Sequence, residues 1–129
     1  MKQNSLTNSE KEIMDLLWTT DRPLTASEIV SLSPDRTWKK SYIHLLINSL
    51  LEKQMIRIAD FVRTEKNYAR SFVATLSAAD YAILQLTSQK NFSPESIPVL
   101  VSSLIDQIDD VQLIEKVEEV VRKKKEELK

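Results

Sequence analysis

The chain of 129 residues contains no cysteine and no glycine, and it has a single histidine, His44. The absence of cysteine excludes disulfides, thiol nucleophiles and cysteine-ligated metal sites. The absence of glycine excludes a glycine-rich phosphate-binding loop. One histidine is too few for a histidine-based metal cluster and argues against a Ser–His–Asp site. We therefore expect neither an enzyme nor a protein with a cofactor or a bound metal.

Long apolar runs are also absent. No stretch approaches the roughly 18 to 20 apolar residues that a membrane-spanning helix needs. The first residues, MKQNSLTNSEKEIM, lack the continuous apolar core of a signal peptide. A cytoplasmic location is therefore expected. The hydrophobic fraction of 42% is enough for the core of one modest domain, or of a small domain with an appendage.

The charge is distributed unevenly along the chain. The formal net charge is −1, but residues 36–70 contain eight Lys or Arg residues and three Asp or Glu residues. This segment therefore carries +5 and the remainder carries −6. A phosphate backbone senses charge within a Debye length of about 10 Å. A basic middle segment is compatible with nucleic-acid binding, and an ordinary solvated basic surface explains it equally well.

Two capping boxes, Thr7 with Glu10 and Thr25 with Glu28, predict the starts of the first two helices. Pro23 and Pro34 predict that these helices end before them, so the second helix is short. The apolar residues expected to face the core are Ile13, Met14, Leu16, Leu17 and Trp18 in the first helix and Ala26, Ile29, Val30 and Leu32 in the second. Trp38, ahead of the third helix, is expected in the core as well.

The segment TWKKSYIHLLINSLLEKQMI, residues 37–56, predicts a third helix with polar first turns and an apolar stripe behind them. The stripe consists of Ile43, Leu46, Ile47, Leu50 and Leu51. The runs IRIADFVRT and YARSFVATL then predict two antiparallel strands joined at Glu65-Lys66-Asn67. Because there is no glycine, Asn67 is the tip residue best able to adopt a positive φ.

Helices return from Ser77 to the end of the chain. Ser77, Ser93 and Asp109 or Asp110 are the expected N-terminal caps, and Pro94 suits a first helical position. Isolated helices of this length are marginal in water, so their apolar stripes need a partner. We expect the same segment of a second chain to be that partner, and folding back onto the first domain is the alternative. The residues expected in the dimer interface are Ile97, Leu100, Val101, Leu104, Ile108, Ile114, Val117 and Val121.

Three helices followed by a β-hairpin is the order of a winged helix, whose third helix enters the major groove of DNA. The predicted fold is thus mainly α, with a winged helix-turn-helix domain over residues 1–76 and a helical dimerisation region over residues 77–129. Leu45 is placed to contact a thymine methyl group. His44 fits a base or phosphate contact and an exposed bystander equally well. The residues outside the stripe, and so facing DNA, are Lys39, Lys40, Ser41, Tyr42, His44 and Asn48.

The chain also resembles the penicillinase-repressor family over nearly its whole length. The resemblance is carried by LTNSEKEIMDLLW, LTASEIV, the segment 37–56 and YARSFVATLSAADY, and most strongly by Glu10, Ile13, Met14, Leu17 and Trp18 in the motif E-x-x-[IVM]-M-x-x-[IL]-W and by Trp38. The family consists of bacterial winged-helix repressors that dimerise through a C-terminal helical region. The resemblance therefore implies a homodimeric repressor that binds a palindromic operator.

The resemblance also implies roles for single residues. It places the base-contacting turn on Lys40, Ser41, Tyr42 and Leu45, and the phosphate contacts of the wing on Arg70, Lys66 and Arg63. The family usually has Lys-Thr where Ser41 and Tyr42 stand and Thr where Leu45 stands, so a different operator preference is expected. The family's glycine after the third helix is Gln54 here.

Two modes of induction are known in the family. Copper-responsive members use C-terminal cysteines, which this chain lacks. Antibiotic-responsive members are cleaved at an Asn-Phe bond, which aligns with Ser102-Ser103 here, and Asn91-Phe92 lies too far upstream to inherit that role. The expected partners are operator DNA, a second copy of the chain and any sensor or protease that relieves repression. A winged-helix protein-interaction module without sequence-specific DNA binding is the alternative function.

Overall fold

The computed structural model describes residues 6–129. The first five residues, which belong to the segment predicted not to be a signal peptide, lie outside the described residues. The chain forms two compact units, one ending at Gln89 and the other comprising Lys90–Lys129. The elements are α1 (Asn8–Thr19), β1 (Leu24–Thr25), α2 (Ala26–Ser31), a 3₁₀ turn (Lys40–Tyr42) leading into α3 (Ile43–Glu52), β2 (Ile56–Arg63), β3 (Tyr68–Ala74), α4 (Ala78–Thr87), a second 3₁₀ turn (Pro94–Ser96), α5 (Ile97–Ile105) and α6 (Val111–Glu127). The prediction of a winged helix followed by C-terminal helices is confirmed.

Both predicted capping boxes are present. The Thr7 hydroxyl accepts a hydrogen bond from the Glu10 N–H at 3.2 Å, and the Glu10 carboxylate accepts one from the Thr7 N–H at 2.8 Å. Thr25 and Glu28 repeat the arrangement at 3.3 and 2.9 Å. Ser77, Ser93 and Asp110 cap the later helical segments as expected. These local sequence patterns therefore set where the helices begin.

The core of the first unit lies between α1, α2, α3 and the sheet. Its most deeply buried apolar side chains are Phe72, Ile13, Met14, Leu24, Ile29, Ile47, Leu50 and Met55. Trp38 is buried, and Trp18 packs half-buried against this core with its indole N–H donating to the Leu76 carbonyl at 2.8 Å. The predicted inward position of Leu32 is wrong. Helix α2 ends at Ser31, and Leu32, its C-terminal cap, is 45% exposed.

The sheet has three antiparallel strands in the order β1-β3-β2, one more than the predicted hairpin. Strand β1 consists of two residues, Leu24 and Thr25, which pair with Phe72 and Ser71 of β3. Strands β2 and β3 form the wing, residues 56–74, and their pairing shifts register between Ile58 and Asp60. Strand β1 thus ties the base of the wing to the start of α2.

The chain turns from α3 into the wing without a glycine. Gln54 has a φ of 62°, the only positive φ among residues 6–129, so Asn67, the tip residue best able to adopt a positive φ, does not adopt one. The Met55 N–H bonds the Leu50 carbonyl at 2.9 Å and the Gln54 N–H bonds the Leu51 carbonyl at 3.0 Å. This pair of bonds is a Schellman motif, which requires the left-handed conformation at Gln54.

Replacing Gln54 with glycine is expected to raise the free energy of unfolding by about 0.5–1 kcal/mol. Glycine adopts the left-handed conformation without the steric cost that glutamine has there. Its greater conformational freedom in the unfolded chain cancels part of this gain. Urea denaturation measures the change. Glu52→Gly, at the exposed last position of α3, is the matched control and should lower stability by about the same amount. A loss of stability in both variants would contradict the assignment.

The second unit contains α5 and α6. No side chain from Lys90 to Lys129 is buried, although both helices carry apolar stripes. Ser102 and Ser103 lie exposed within α5, whereas Asn91 and Phe92 lie in the connection before the second 3₁₀ turn. Over residues 6–129, no helix combines the length and the hydrophobicity needed to cross a bilayer.

Candidate nucleic-acid interface

The recognition helix, residues 40–52, begins with an exposed polar turn. Its first residues, Lys40–Tyr42, form the 3₁₀ turn, and Lys39 is the N-terminal cap without a capping hydrogen bond from its side chain. Lys39, Lys40, Ser41 and Tyr42 are all exposed. The partial positive charge of a helix N-terminus and the two ammonium groups add at this end, which favours an anion such as phosphate.

The two faces of α3 separate as the sequence predicts. Ile43, Ile47 and Leu50 are buried in the core. His44 and Leu45 are exposed between them, and so is Asn48 one turn later. The structure therefore exposes all seven predicted residues of this segment: Lys39 at the N-terminal cap, and Lys40, Ser41, Tyr42, His44, Leu45 and Asn48 along the recognition helix.

A groove of about 620 Å³ separates α2 from the start of the recognition helix. Lys40, Ser41 and His44 line one side of it, and Ser27 and Ser31 line the other. The sequence interpretation missed the two serines as candidate phosphate ligands. Their signal was a pair of hydroxyls four residues apart, which share one face of a helix.

The wing contributes basic side chains held against aromatic rings. The Arg63 guanidinium lies 5.8 Å from the centre of the Tyr68 ring, and that of Arg70 lies 5.2 Å from the centre of the Phe72 ring. Lys66 is exposed at the tip, where the Thr64 N–H closes the turn on the Asn67 carbonyl at 2.7 Å. The three predicted wing residues are therefore accessible, with Arg70 half-buried nearest the core.

The recognition helix and the wing meet at a second concavity. It has a volume of about 300 Å³ and is lined by Ala26, His44, Tyr68, Ala69, Arg70 and Phe72. The structure thus brings His44 and Arg70 together, whereas Arg63 and Lys66 lie further out along the wing. Tyr68 is a third residue that the sequence interpretation missed, because nothing in its neighbourhood in the sequence relates it to His44.

Two of the eight basic residues in segment 36–70 serve the fold. Arg36 donates to the carbonyls of Val30 and Ser33 at 3.3 and 3.1 Å and lies over the Trp38 ring. Lys53 forms an ion pair with Glu10 at 2.6 Å. The charge count of the segment therefore overstates the charge presented to a ligand. Lys39, Lys40, Arg57, Arg63, Lys66 and Arg70 remain at its surface.

Two carboxylates of α1 bind residues at and just beyond the two ends of the recognition helix. Glu12 accepts hydrogen bonds from the N–H of Thr37, at 3.1 Å, and from its hydroxyl. Glu10 is 2% exposed and accepts hydrogen bonds from Ser49 and Lys53. Burial disfavours its charged form, but the bonds from Lys53, Ser49 and Thr7 outweigh that effect, so the pKa of Glu10 lies below its ordinary value. These bonds attach α1 to the chain on both sides of the recognition helix.

Comparison with protein families gave a match over nearly the whole chain. The model of the family described as penicillinase repressor matches residues 6–123, which include the winged helix and most of α6. Comparison with curated proteins gave no match. Members of the matched family are DNA-binding transcriptional repressors, regulators rather than enzymes. The predicted resemblance is confirmed, and the chain belongs to the penicillinase repressor family.

Proposed function

We propose that this protein represses transcription by binding a palindromic operator as a homodimer. The observation that carries the proposal is one continuous exposed surface, on which the polar start of the recognition helix and the basic wing meet at His44 and Arg70. A winged helix uses these two elements together on DNA. Membership of the penicillinase repressor family supports the same function.

In the proposed complex the recognition helix enters the major groove with residues 39–45 foremost. Lys40, Ser41 and Tyr42 present donors and acceptors to base edges, and Leu45 presents an apolar surface to a thymine methyl group. Lys39, with Ser27 and Ser31 across the groove from Lys40, contacts the phosphates that flank it. Arg63, Lys66 and Arg70 contact the backbone from the wing. The proposed DNA-binding domain is residues 1–76.

The proposed dimerisation region is residues 77–129. Its support comes from Lys90–Lys129, the second compact unit, where no side chain is buried although α5 and α6 are rich in Ile, Leu and Val. Residues 77–89, which include α4, belong to the first unit. Helices of this kind need an apolar partner to be stable. A second copy supplies one and gives the two-fold symmetry that a palindrome matches. The residues proposed for this interface are Ile97, Leu100, Val101, Leu104, Ile108, Ile114, Val117 and Val121.

Replacing Lys40 or Arg70 with alanine is expected to weaken operator binding about tenfold or more without unfolding the protein, since each change removes a DNA contact from both half-sites. Where the lost contact is to a phosphate, the plot of log K for operator binding against log [salt] should become less steep. The slope should change by about two per dimer, one for each half-site. Fluorescence anisotropy at several salt concentrations measures both, using the duplex protected in a footprint upstream of the protein's own gene. Lys123→Ala, an exposed position of α6, controls for net charge. Unchanged affinity in both variants would count against the proposal.

A protein-interaction module is the second candidate. The observation that favours it is the exposed apolar surface of the wing, where Phe61, Val62 and Tyr68 face solvent. Under this alternative the same surface binds a protein. Absence of any salt-dependent binding to promoter DNA would favour it over the repressor.

A further inference from the structure

His44 lies where the two concavities of the candidate interface meet. It lines the groove between α2 and the recognition helix, and it also lines the concavity between that helix and strand β3. Its side chain is exposed. The imidazole is therefore accessible to a ligand that occupies either concavity.

The groups that surround His44 are cationic or uncharged. On its own helix, Lys40 precedes it by one turn and lines the same groove. Strand β3 contributes Arg70 and the Tyr68 phenol to the other concavity. Helix α2 contributes no titratable group to the groove, where its lining residues are Ala26, Ser27, Val30 and Ser31.

A counter-charge for a protonated His44 is not provided by these neighbours. Among the described residues that line the two concavities, none is Asp or Glu. An imidazolium forms its strongest hydrogen bonds with an anionic acceptor such as a carboxylate or a phosphate. In the proposed complex, the phosphates of DNA would provide that acceptor beside Lys40 and Arg70.

No other side chain of this protein belongs to a residue type that titrates near neutral pH. The sequence contains one histidine and no cysteine. Histidine ordinarily changes charge between about pH 5 and pH 8, whereas Asp and Glu titrate below this range and Tyr, Lys and Arg above it. The α-amino group of a chain titrates near pH 8 and needs a control. A dependence of DNA affinity on pH in the lower part of this range would therefore originate at one imidazole.

We propose that His44 takes up a proton from solvent when the protein binds its operator, and that the imidazolium donates a hydrogen bond to a DNA phosphate. This inference rests on the proposed repressor function. Because a nearby phosphate favours the charged form of an imidazole, protonation and DNA binding stabilise each other. Operator affinity therefore rises as the pH falls, and the protein holds its operator more tightly in acid.

Operator titrations at about pH 5.5 and about pH 7.5 test this linkage, with the duplex protected in the footprint. We expect the wild-type dimer to bind about tenfold or more tightly at the lower pH, since each half-site gains one charge-assisted contact. The plot of log K against log [salt] should also be steeper there, by about two per dimer, because the added contacts are to phosphates. An affinity or a salt slope that is the same at both pH values would overturn the inference.

Variants at this position assign the effect to the imidazole. His44→Gln should bind with the same affinity at both pH values, because glutamine does not titrate. His44→Lys keeps a cation there, so it should also be independent of pH and should bind more tightly than His44→Gln. The matched control adds Gln112→His to the His44→Gln variant, which returns one histidine to the chain at an exposed position of α6. This double variant should show no pH dependence, whereas pH dependence retained by His44→Gln would overturn the inference.

The wild type alone allows a second measurement, which does not depend on how a variant folds. One histidine gives one set of imidazole signals in a proton NMR titration, so its protonation can be followed with and without the operator duplex. The midpoint should lie at a higher pH in the complex. A midpoint that the duplex leaves unchanged would overturn the inference.

The outcomes separate this inference from the function on which it rests. Operator binding with equal affinity at both pH values would overturn the role of His44 and leave the repressor proposal standing. No binding to promoter DNA at either pH would overturn both.

Discussion

Replacing Glu10 with glutamine is expected to lower the free energy of unfolding by about 2–3 kcal/mol at neutral pH. The Glu10 carboxylate is almost fully buried, and it joins the start of α1 to Ser49 and Lys53 at the end of α3. Glutamine preserves the shape but leaves the half-buried Lys53 ammonium without its counter-charge. Breaking a buried pair in this way costs much more than losing an ion pair on the surface.

The same substitution should change how stability depends on pH. The folded-state pKa of Glu10 lies below its ordinary value of 4.5, so the carboxylate contributes fully above that pH. Its contribution is lost as the pH falls below 4.5 through the folded-state pKa. In that range the unfolded chain binds a proton at Glu10 more readily than the folded protein does, so acid favours unfolding. The stabilities of wild type and Glu10→Gln should therefore converge in acid.

Urea denaturation at a series of pH values measures both effects. Asp15→Asn is the control, since it removes the exposed carboxylate that pairs with Lys11 at 3.1 Å on the same helix. It should cost about 0.5 kcal/mol or less. Equal losses in the two variants, or a difference for Glu10→Gln that does not shrink in acid, would show that the buried pair is not the stabilising feature.

The part of the fold that rests on short-range patterns could be predicted from the sequence. Thr7 and Thr25 each stand three residues before a glutamate, and a capping box needs nothing beyond that spacing. The stripe of α3 likewise follows from helical periodicity. Strand β1 could not be predicted, because two residues show no alternation and its strand character comes from pairing with Phe72 and Ser71 of β3.

The left-handed residue shows where local reasoning fails. Asn67 has the higher intrinsic tendency to adopt a positive φ. Its side chain instead accepts a hydrogen bond from the Tyr68 N–H at 2.9 Å, and the tip closes without a left-handed residue. Gln54 adopts the conformation because Leu50 and Met55, both fully buried, fix the chain on either side of the turn. Tertiary packing thus overrides the local preference.

Exposure of side chains along the recognition helix could be predicted from the sequence, but their neighbours in the fold could not. Helical periodicity was enough to place Lys40, Ser41, Tyr42, His44 and Leu45 on the exposed side of the recognition helix and Ile43 on its buried side. Counting charges could not show that Arg36 and Lys53 are engaged by the fold, because their partners Val30 and Glu10 lie in other elements. Counting charges also could not predict that Tyr68 and His44 line the same concavity. Contacts between α3 and β3 depend on how the wing folds back, which no short pattern in the sequence encodes.

Replacing Val117 with glutamate is expected to dissociate the proposed dimer and to weaken operator binding about a hundredfold or more. Val117 lies half-buried in the middle of the apolar stripe of α6. In a two-fold interface each substitution occurs twice, and burying an unpaired carboxylate among apolar side chains is strongly unfavourable. A monomer loses the second half-site, whose effective concentration in a linked dimer raises affinity by about 10² to 10⁴.

Analytical ultracentrifugation and operator titration measure the two consequences on the same samples. Gln112→Glu adds the same charge at an exposed position of the same helix and should leave both unchanged. In the wild type, the melting temperature should rise with protein concentration, because association stabilises α5 and α6, whereas in Val117→Glu it should not. A Val117→Glu protein that remains dimeric and binds its operator normally would place the interface elsewhere. The apolar side chains between Lys90 and Lys129, none of which is buried, would then need a different partner.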